Sequence, residues 1–482
     1  MQNTKLLAAV RTLTPRERQR WREFVFSDFV CKHLKTRELC ELVLAAAPGF
    51  DSPELDKRTA FARIFGASEA YNELKINNLI SDLLALLHDF LAYEKFATRP
   101  ALQKPALLDA LLERDLAAHA PDVLARFRQL LDREPHRAAD WSRDEAVFYE
   151  KAEQLTAHTA RRDHDENLQK LGDALDRAFV LEKLRVGCAM LSRNSVAVIS
   201  ATYQPQHLAD VRRWCGESAT LADEPAVQVY LACLDLLERQ QDADFQVFKS
   251  KLGEHTALFP QADLLALYTY ALNFCIRKIN AGAVAWYHET LDLYQTLLAR
   301  GILLQNGHLS QWSYKNIVTA GLRSRAFGWT EDFIRTWRDR LPPDERENAF
   351  AYNLAALFLE KGEHRRALFA LQNVEFTHHS YHLGAKIMQL KSYFALDEGD
   401  ALHSLADATD KYIRRNRQFS GYGKAANLNF LKLLRRAFQV KNELPLLRDP
   451  KKIARLDKLR RAIGQANPLA NKDWLAAMVD NF

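Results

Sequence analysis

An all-α fold is predicted, and three observations carry that prediction. Turn-forming residues are scarce, with 17 glycines and 15 prolines in 482 residues. That is about half the usual share of roughly 12%, and sheets need such turns every few residues. Apolar residues recur three to four apart over most of the chain, the period of a helix face. Strand-like composition is confined to 195–203, SVAVISATY. A lone strand has nothing to pair with, so this run is read as a loop or the start of a helix.

Composition bounds the rest. Hydrophobic residues make up 48% and charged ones 27%, enough for a packed core and unlike a disordered chain. The length allows two to four domains or one long solenoid. No apolar run approaches the ~18–20 residues of a membrane span, and the stretch 6–10 is too short for a secretory signal. No membrane partner is expected. Cys31, Cys40, Cys188, Cys215, Cys233 and Cys275 form no C-x-x-C pair, which points to buried thiols in a reducing cytoplasm. No metal site or cofactor is expected.

Residues 1–98 read as an N-terminal helical module. Thr14-Pro15-Arg16-Glu17 combines a capping box with proline at the first helical position. The helix it opens carries Trp21, Phe24, Val25 and Phe29 inward. A second runs from about 35 to 47, and a third presents Ala60, Phe61, Ile64 and Phe65. The long stripe over 71–96 uses Ile76, Leu79, Ile80, Leu83, Leu84, Leu87, Phe90 and Leu91. Three short helices before a long one suggest a helix-turn-helix arrangement. Lys75, Asn77 and Asn78 suit DNA, whereas Glu73, Asp82 and Asp89 repel phosphate, which favours a plain capping or docking module.

Pro100 and Pro105 mark a boundary, because two prolines in six residues interrupt a helix. Helical hairpins are expected over 105–260: near 105–119 and 121–133, from Ser142 with Glu145 as capping partner, over 164–193, and in pairs from 205 to 280. The charged run 161–166 reads as a solvated junction, and Asp242 and Asp244 as a polar helix start.

A repeating signal emerges over 261–410. Its clearest unit is 351–374, AYNLAALFLEKGEHRRALFALQNV. One helix is expected to bury Leu354, Ala355 and Phe358, the next Ala367, Leu368, Leu371 and Val374, with Gly362 in the turn. Such a hairpin needs neighbours of its own kind. Turns near 326–328, at Gly362 and at 398–399 recur about every 35 residues. The spacing of Ala355, Phe358, Gly362, Ala367 and Leu371 resembles the tetratricopeptide (TPR) repeat, over about 264–410. The resemblance implies a helical-hairpin solenoid whose first helices line a concave groove for a partner. In that register Tyr268, Asn316, Arg323 and Tyr352 fall on the inner wall, suited to an extended peptide.

Residues 411–482 form a basic end. Between 411 and 461 there are 16 Lys and Arg against three acids, so the remainder of this +6 chain is mildly acidic. Lys432, Arg435 and Arg436 face outward from a helix over about 424–440. The sequence SGYGK at 420–424 lacks the Walker spacing, but a helix start with Lys424, Arg414, Arg415 and Arg417 nearby suits an anion. Phe419 and Tyr422 add stacking surfaces for single-stranded bases. The histidines of HHSYH (378–382) lack an acidic or cysteine ligand in the same turn and read as a helix start.

No pattern pairs a nucleophile with a base. The expected function is a non-enzymatic scaffold or adaptor that binds a protein or peptide partner through the concave face or the basic end. The alternative is a nucleic-acid-associated protein whose basic end meets phosphates.

Overall fold

A computed structural model describes residues 1–158, 166–196, 202–372 and 379–482. The chain is all-α, 79% helical. It divides into two compact units, 1–185 with 209–227 and 186–208 with 228–482. Among the described residues, no helix is long and apolar enough to cross a membrane.

The first unit opens with α1 (Lys5–Val10), α2 (Pro15–Phe26), α3 (Leu34–Ala45), α4 (Lys57–Phe65) and α5 (Glu73–Ala97). Thr14 and Glu17 close their capping box, Thr14 N donating to Glu17 Oε2 at 2.7 Å and Glu17 N to Thr14 Oγ1 at 3.2 Å. Trp21, Val25, Phe61, Leu83 and Phe90 share one core. Phe29 and Leu91 do not join them, Leu91 being 39% exposed on α5. The chain leaves α2 at Phe26, and Phe29 is 98% exposed in the following turn. Lys75, a candidate for DNA contact, is tied to Glu69 at 2.6 Å.

Next come α6 (Pro100–Leu112), α7 (Ala120–Arg133), α8 (Ala139–His158) and α9 (Glu166–Val196), followed by α10 (Leu208–Glu217) and α11 (Ala219–Ala222). Two expectations are corrected here. Pro105 lies inside α6 without ending it, although it forfeits the bond it would have donated and its ring crowds the carbonyl one turn earlier. Ser142 is not a cap, because α8 begins three residues earlier and buries it. Glu145 instead sits between Arg128 (3.2 Å) and Arg177 (2.6 Å). Most of the β-rich run and the charged junction at 161–165 fall outside the described residues.

The second unit continues as α12 (Pro225–Arg239), α13 (Asp242–His255), α14 (Gln261–Asn280), α15 (Trp286–Ala299), α16 (Gln311–Arg323), α17 (Phe327–Thr336), α18 (Pro343–Glu360), α19 (His364–Ala370), α20 (His379–Ala395), α21 (Gly399–Arg415), α22 (Gly421–Glu443), α23 (Asp449–Gln465) and α24 (Lys472–Asp480). From α13 onward each helix packs on the next. In addition α16 packs on α18, and α18 on α20. The turns after α16, α18 and α20 share one device, a left-handed residue at Arg325 (φ 57°), Gly362 (φ 76°) and Asp397 (φ 60°). Glycine adopts that conformation without the Cβ clash the other two bear.

In the α18/α19 hairpin Ala355, Phe358, Ala367 and Leu371 are buried as expected. Leu354 and Leu368 are only half-buried. Asn353 and Leu357 are the buried residues instead, because α18 is flanked by α16 and α20 as well as by α19. Val374 lies outside the described residues.

The loop before α16 holds a two-residue hairpin, β1 (Leu304–Gln305) antiparallel to β2 (His308–Leu309). Asn306-Gly307 turns it with both residues at positive φ, the strongest short hairpin signal a sequence carries. The basic end is no appendage. Phe430, Leu434, Leu459 and Leu475 share one core with Phe394 of α20 and Leu402 of α21.

Candidate binding groove

Three helices that open successive hairpins, α16, α18 and α20, each turn one stripe toward a common cavity. On α16 the stripe is Lys315, Thr319 and Arg323; on α18, Tyr352, Ala356 and Glu360; on α20, Gly384, Met388 and Lys391. Spacings of three and four place each set on one helix face. Asn471, which precedes α24, closes one end. The cavity measures about 230 Å³.

Of the four groove residues expected from sequence, Arg323 and Tyr352 meet here. Asn316 is exposed on α16 but points beside the cavity, where its side chain hydrogen-bonds Tyr294. Tyr268 is corrected: it is only 4% exposed, within the core face of α14, and no partner reaches it. The two residues that meet come from α16 and α18, which pack on each other as α18 does on α20.

Tyr352 lies edge-on to Tyr381, centroids 4.7 Å apart at 70°. The Lys315 ammonium sits 5.1 Å from the first ring and 4.9 Å from the second. Gly384 makes room for this packing, since a Cβ there would collide with the Tyr352 hydroxyl and stand 3.0 Å from its Cε2. Burial pushes the Tyr352 phenol up to about 12, so it remains a neutral hydrogen-bonding group.

Burial lowers the Lys315 ammonium below the usual lysine range, with no carboxylate opposing it. Lys391 is pushed down to about 8 by burial, against the partial help of Glu360. Its Nζ donates to Asn471 Oδ1 at 2.8 Å and lies 5.0 Å from the Trp474 ring. Arg323 Nη1 approaches Glu360 Oε1 at 4.0 Å, both side chains substantially exposed. The cavity thus holds three cations and one acid.

The basic end is less bare than its composition implies. Arg414 pairs with Asp410 and Arg435 with Asp407, each at 2.6 Å. Lys441 pairs with Asp397, Arg455 with Glu443 (2.9 Å) and Arg460 with Asp480 (3.0 Å). Arg415, Arg417 and Lys432 are exposed, and Lys424 and Arg436 half-exposed. Ser420 caps α22, its Oγ accepting from Gly423 N at 3.1 Å, which occupies one of the amides an anion would use. His378 lies outside the described residues, and His382 stacks on Tyr412 at 4.5 Å. Among the described residues no cluster suits a metal ion.

Comparison with protein-family models, curated protein sequences and solved structures yields no match. Lys315, Lys391 and Asn471 escaped the sequence reading. A signal existed for the lysines: each stands where the helical period calls for a groove or core residue, amid IVTAGL and KIMQL runs.

Proposed function

We propose that this chain is a non-enzymatic binding protein in which helical hairpins over about 264–410 stack as a TPR-like array. A segment of a protein partner lies along the face built by α16, α18 and α20. The observation that carries this reading is the convergence of Lys315, Arg323, Tyr352 and Lys391 on one cavity between helices that pack side by side. Tyrosine rings and long cations suit an extended segment, giving stacking and charge-assisted hydrogen bonds. Six buried free cysteines agree with a cytoplasmic location. Selection from a displayed peptide library tests the reading, with Tyr352→Ala and Arg323→Glu expected to lose the selected peptides at least tenfold. Peptides that bind both variants as tightly as the parent chain refute it.

A second reading concerns the basic end. Arg415, Arg417, Lys424, Lys432 and Arg436 form no ion pair among the described residues, so they remain available to phosphates. Anisotropy of labelled single-stranded DNA, duplex DNA and RNA tests this. Reversing Arg415 and Arg417 to Glu is expected to lower affinity and flatten its salt dependence by about two phosphate contacts. A flat salt response in the parent chain refutes nucleic-acid binding there.

A further inference from the structure

We propose that the cavity between α16, α18 and α20 is a binding site for a phosphate monoester. This deepens the reading of that face as the binding face and rests on it.

Charge balance is the first argument. Lys315, Arg323 and Lys391 bring three positive charges, and Glu360 one negative. Glu360 stands beside the exposed Arg323. Neither lysine forms an ion pair: Lys391 donates to Asn471 Oδ1 and feels Glu360 only at longer range, and Lys315 faces the rings of Tyr352 and Tyr381. Partly buried ammonium groups without a counter-ion are costly to keep. A dianion restores neutrality to the cavity, whereas a single carboxylate leaves it at +1. The donor chemistry agrees. Lysine binds phosphate as a point charge, while the planar fork that favours bidentate carboxylates belongs here to Arg323, already facing Glu360.

Size is the second argument. A volume of about 230 Å³ holds roughly seven waters at ~30 Å³ each. A tetrahedral phosphate and the carbon that bears it fit, and the walls between the lysines are apolar, with Val318, Leu322, Ile387 and Met388. Those walls accept the ester carbon.

Trp474, 5.0 Å from the Lys391 ammonium, supplies the readout. The full chain is titrated with O-phosphoserine, with succinate, and with a peptide library in phosphorylated and unphosphorylated forms, following tryptophan emission. A Trp474→Phe variant assigns the signal. Saturable binding of O-phosphoserine is expected, weakened at least tenfold by Lys315→Met and by Lys391→Met and less than twofold by Arg126→Glu, an exposed position on α7. Should a methionine variant fail to fold, Lys391→Gln, which retains a donor for Asn471, takes its place. Phosphopeptides that bind tenfold tighter than O-phosphoserine identify a phosphorylated chain segment as the source. Equal binding identifies a small phosphorylated molecule, which upholds the site and overturns the peptide groove. Succinate binding as tightly as O-phosphoserine, or lysine variants that bind unchanged, overturns the proposal. Peptide capture that ignores phosphorylation overturns it too, while leaving the groove intact.

Discussion

Replacing Lys391 with methionine should stabilise the protein at pH 7 and cease to do so near pH 10.5. Burial lowers this ammonium from an ordinary 10.5 to about 8. The charged groups facing it are Glu360 from α18, which favours the charge, and Arg323 from α16, which opposes it; Lys315 lines the same cavity. Below pH 8 the lysine is protonated in both folded and unfolded chains, and folding carries the full desolvation cost. Between about 8 and 10.5 the unfolded chain binds the extra proton, so stability rises with pH. At about 1.4 kcal/mol per pH unit the span is about 3 kcal/mol, reduced to roughly 2–3 because the side chain is partly exposed. Methionine keeps the apolar stem over Trp474 but leaves Asn471 without its donor, a loss of about 1 kcal/mol. The net gain is therefore about 1–2 kcal/mol at pH 7, shrinking to nothing or reversing at pH 10.5. Urea unfolding of both chains at the two pH values measures it, provided the dependence on urea stays equal. A gap that does not change with pH, or a parent chain that is the more stable at pH 7, refutes the reasoning.

Arg277 supplies the matched control. None of its guanidinium nitrogens has a hydrogen-bond partner, and all three are buried; since arginine keeps its proton, Arg277→Met should stabilise by about 1–4 kcal/mol at pH 7 and pH 10.5 alike in the same melts. Gly384→Ala pits about 1 kcal/mol of helix propensity against a collision with Tyr352, and should destabilise by about 1–2 kcal/mol net while weakening ligand binding; a variant that gains the full propensity term shows that the close approach is absent. Phe394→Ala removes a ring packed against Phe438 (5.7 Å), Trp474 (5.7 Å) and Phe482 (6.2 Å). It should cost about 3–5 kcal/mol, with far-ultraviolet dichroism and tryptophan emission unfolding together; separate transitions would make the C-terminal helices an independent unit.

Helix type and order were legible because both depend on local pattern. The stripe Ile76, Leu79, Ile80, Leu83, Leu87, Phe90 gave α5, and Thr14 with Glu17 gave the start of α2, since caps and faces are written within a few residues. Boundaries failed where tertiary packing outweighed local preference. Ser142 has the chemistry of a cap, yet α8 begins at Ala139. Phe29 has the right spacing for a buried face, yet the helix has already ended. The hairpin at Asn306-Gly307 carries a plain local signal, but its strands are two residues each, too short to register in a composition that reads as all-α.

The site was legible only in part, and the reason lies in what a helical array hides. Tyr352 and Arg323 could be placed by transferring a repeat register, but that register assumes each hairpin stacks alike. At α14 it does not, and Tyr268 is buried. Lys391 meets its partner Asn471 eighty residues away in the sequence, so no window short enough to read a motif contains both. Composition misled in the opposite direction. The density of Lys and Arg over 411–461 drew attention to the C-terminal helices, yet Asp397, Asp407, Asp410 and Asp480 lie outside that window and answer four of those cations. The groove lysines stand in unremarkable stretches and form no ion pair among the described residues, Glu360 favouring Lys391 only at longer range. Net charge locates cations, whereas only three-dimensional pairing tells which of them await a ligand. Measured by pairing, the groove rather than the basic end holds the charge that the fold leaves uncompensated out of water.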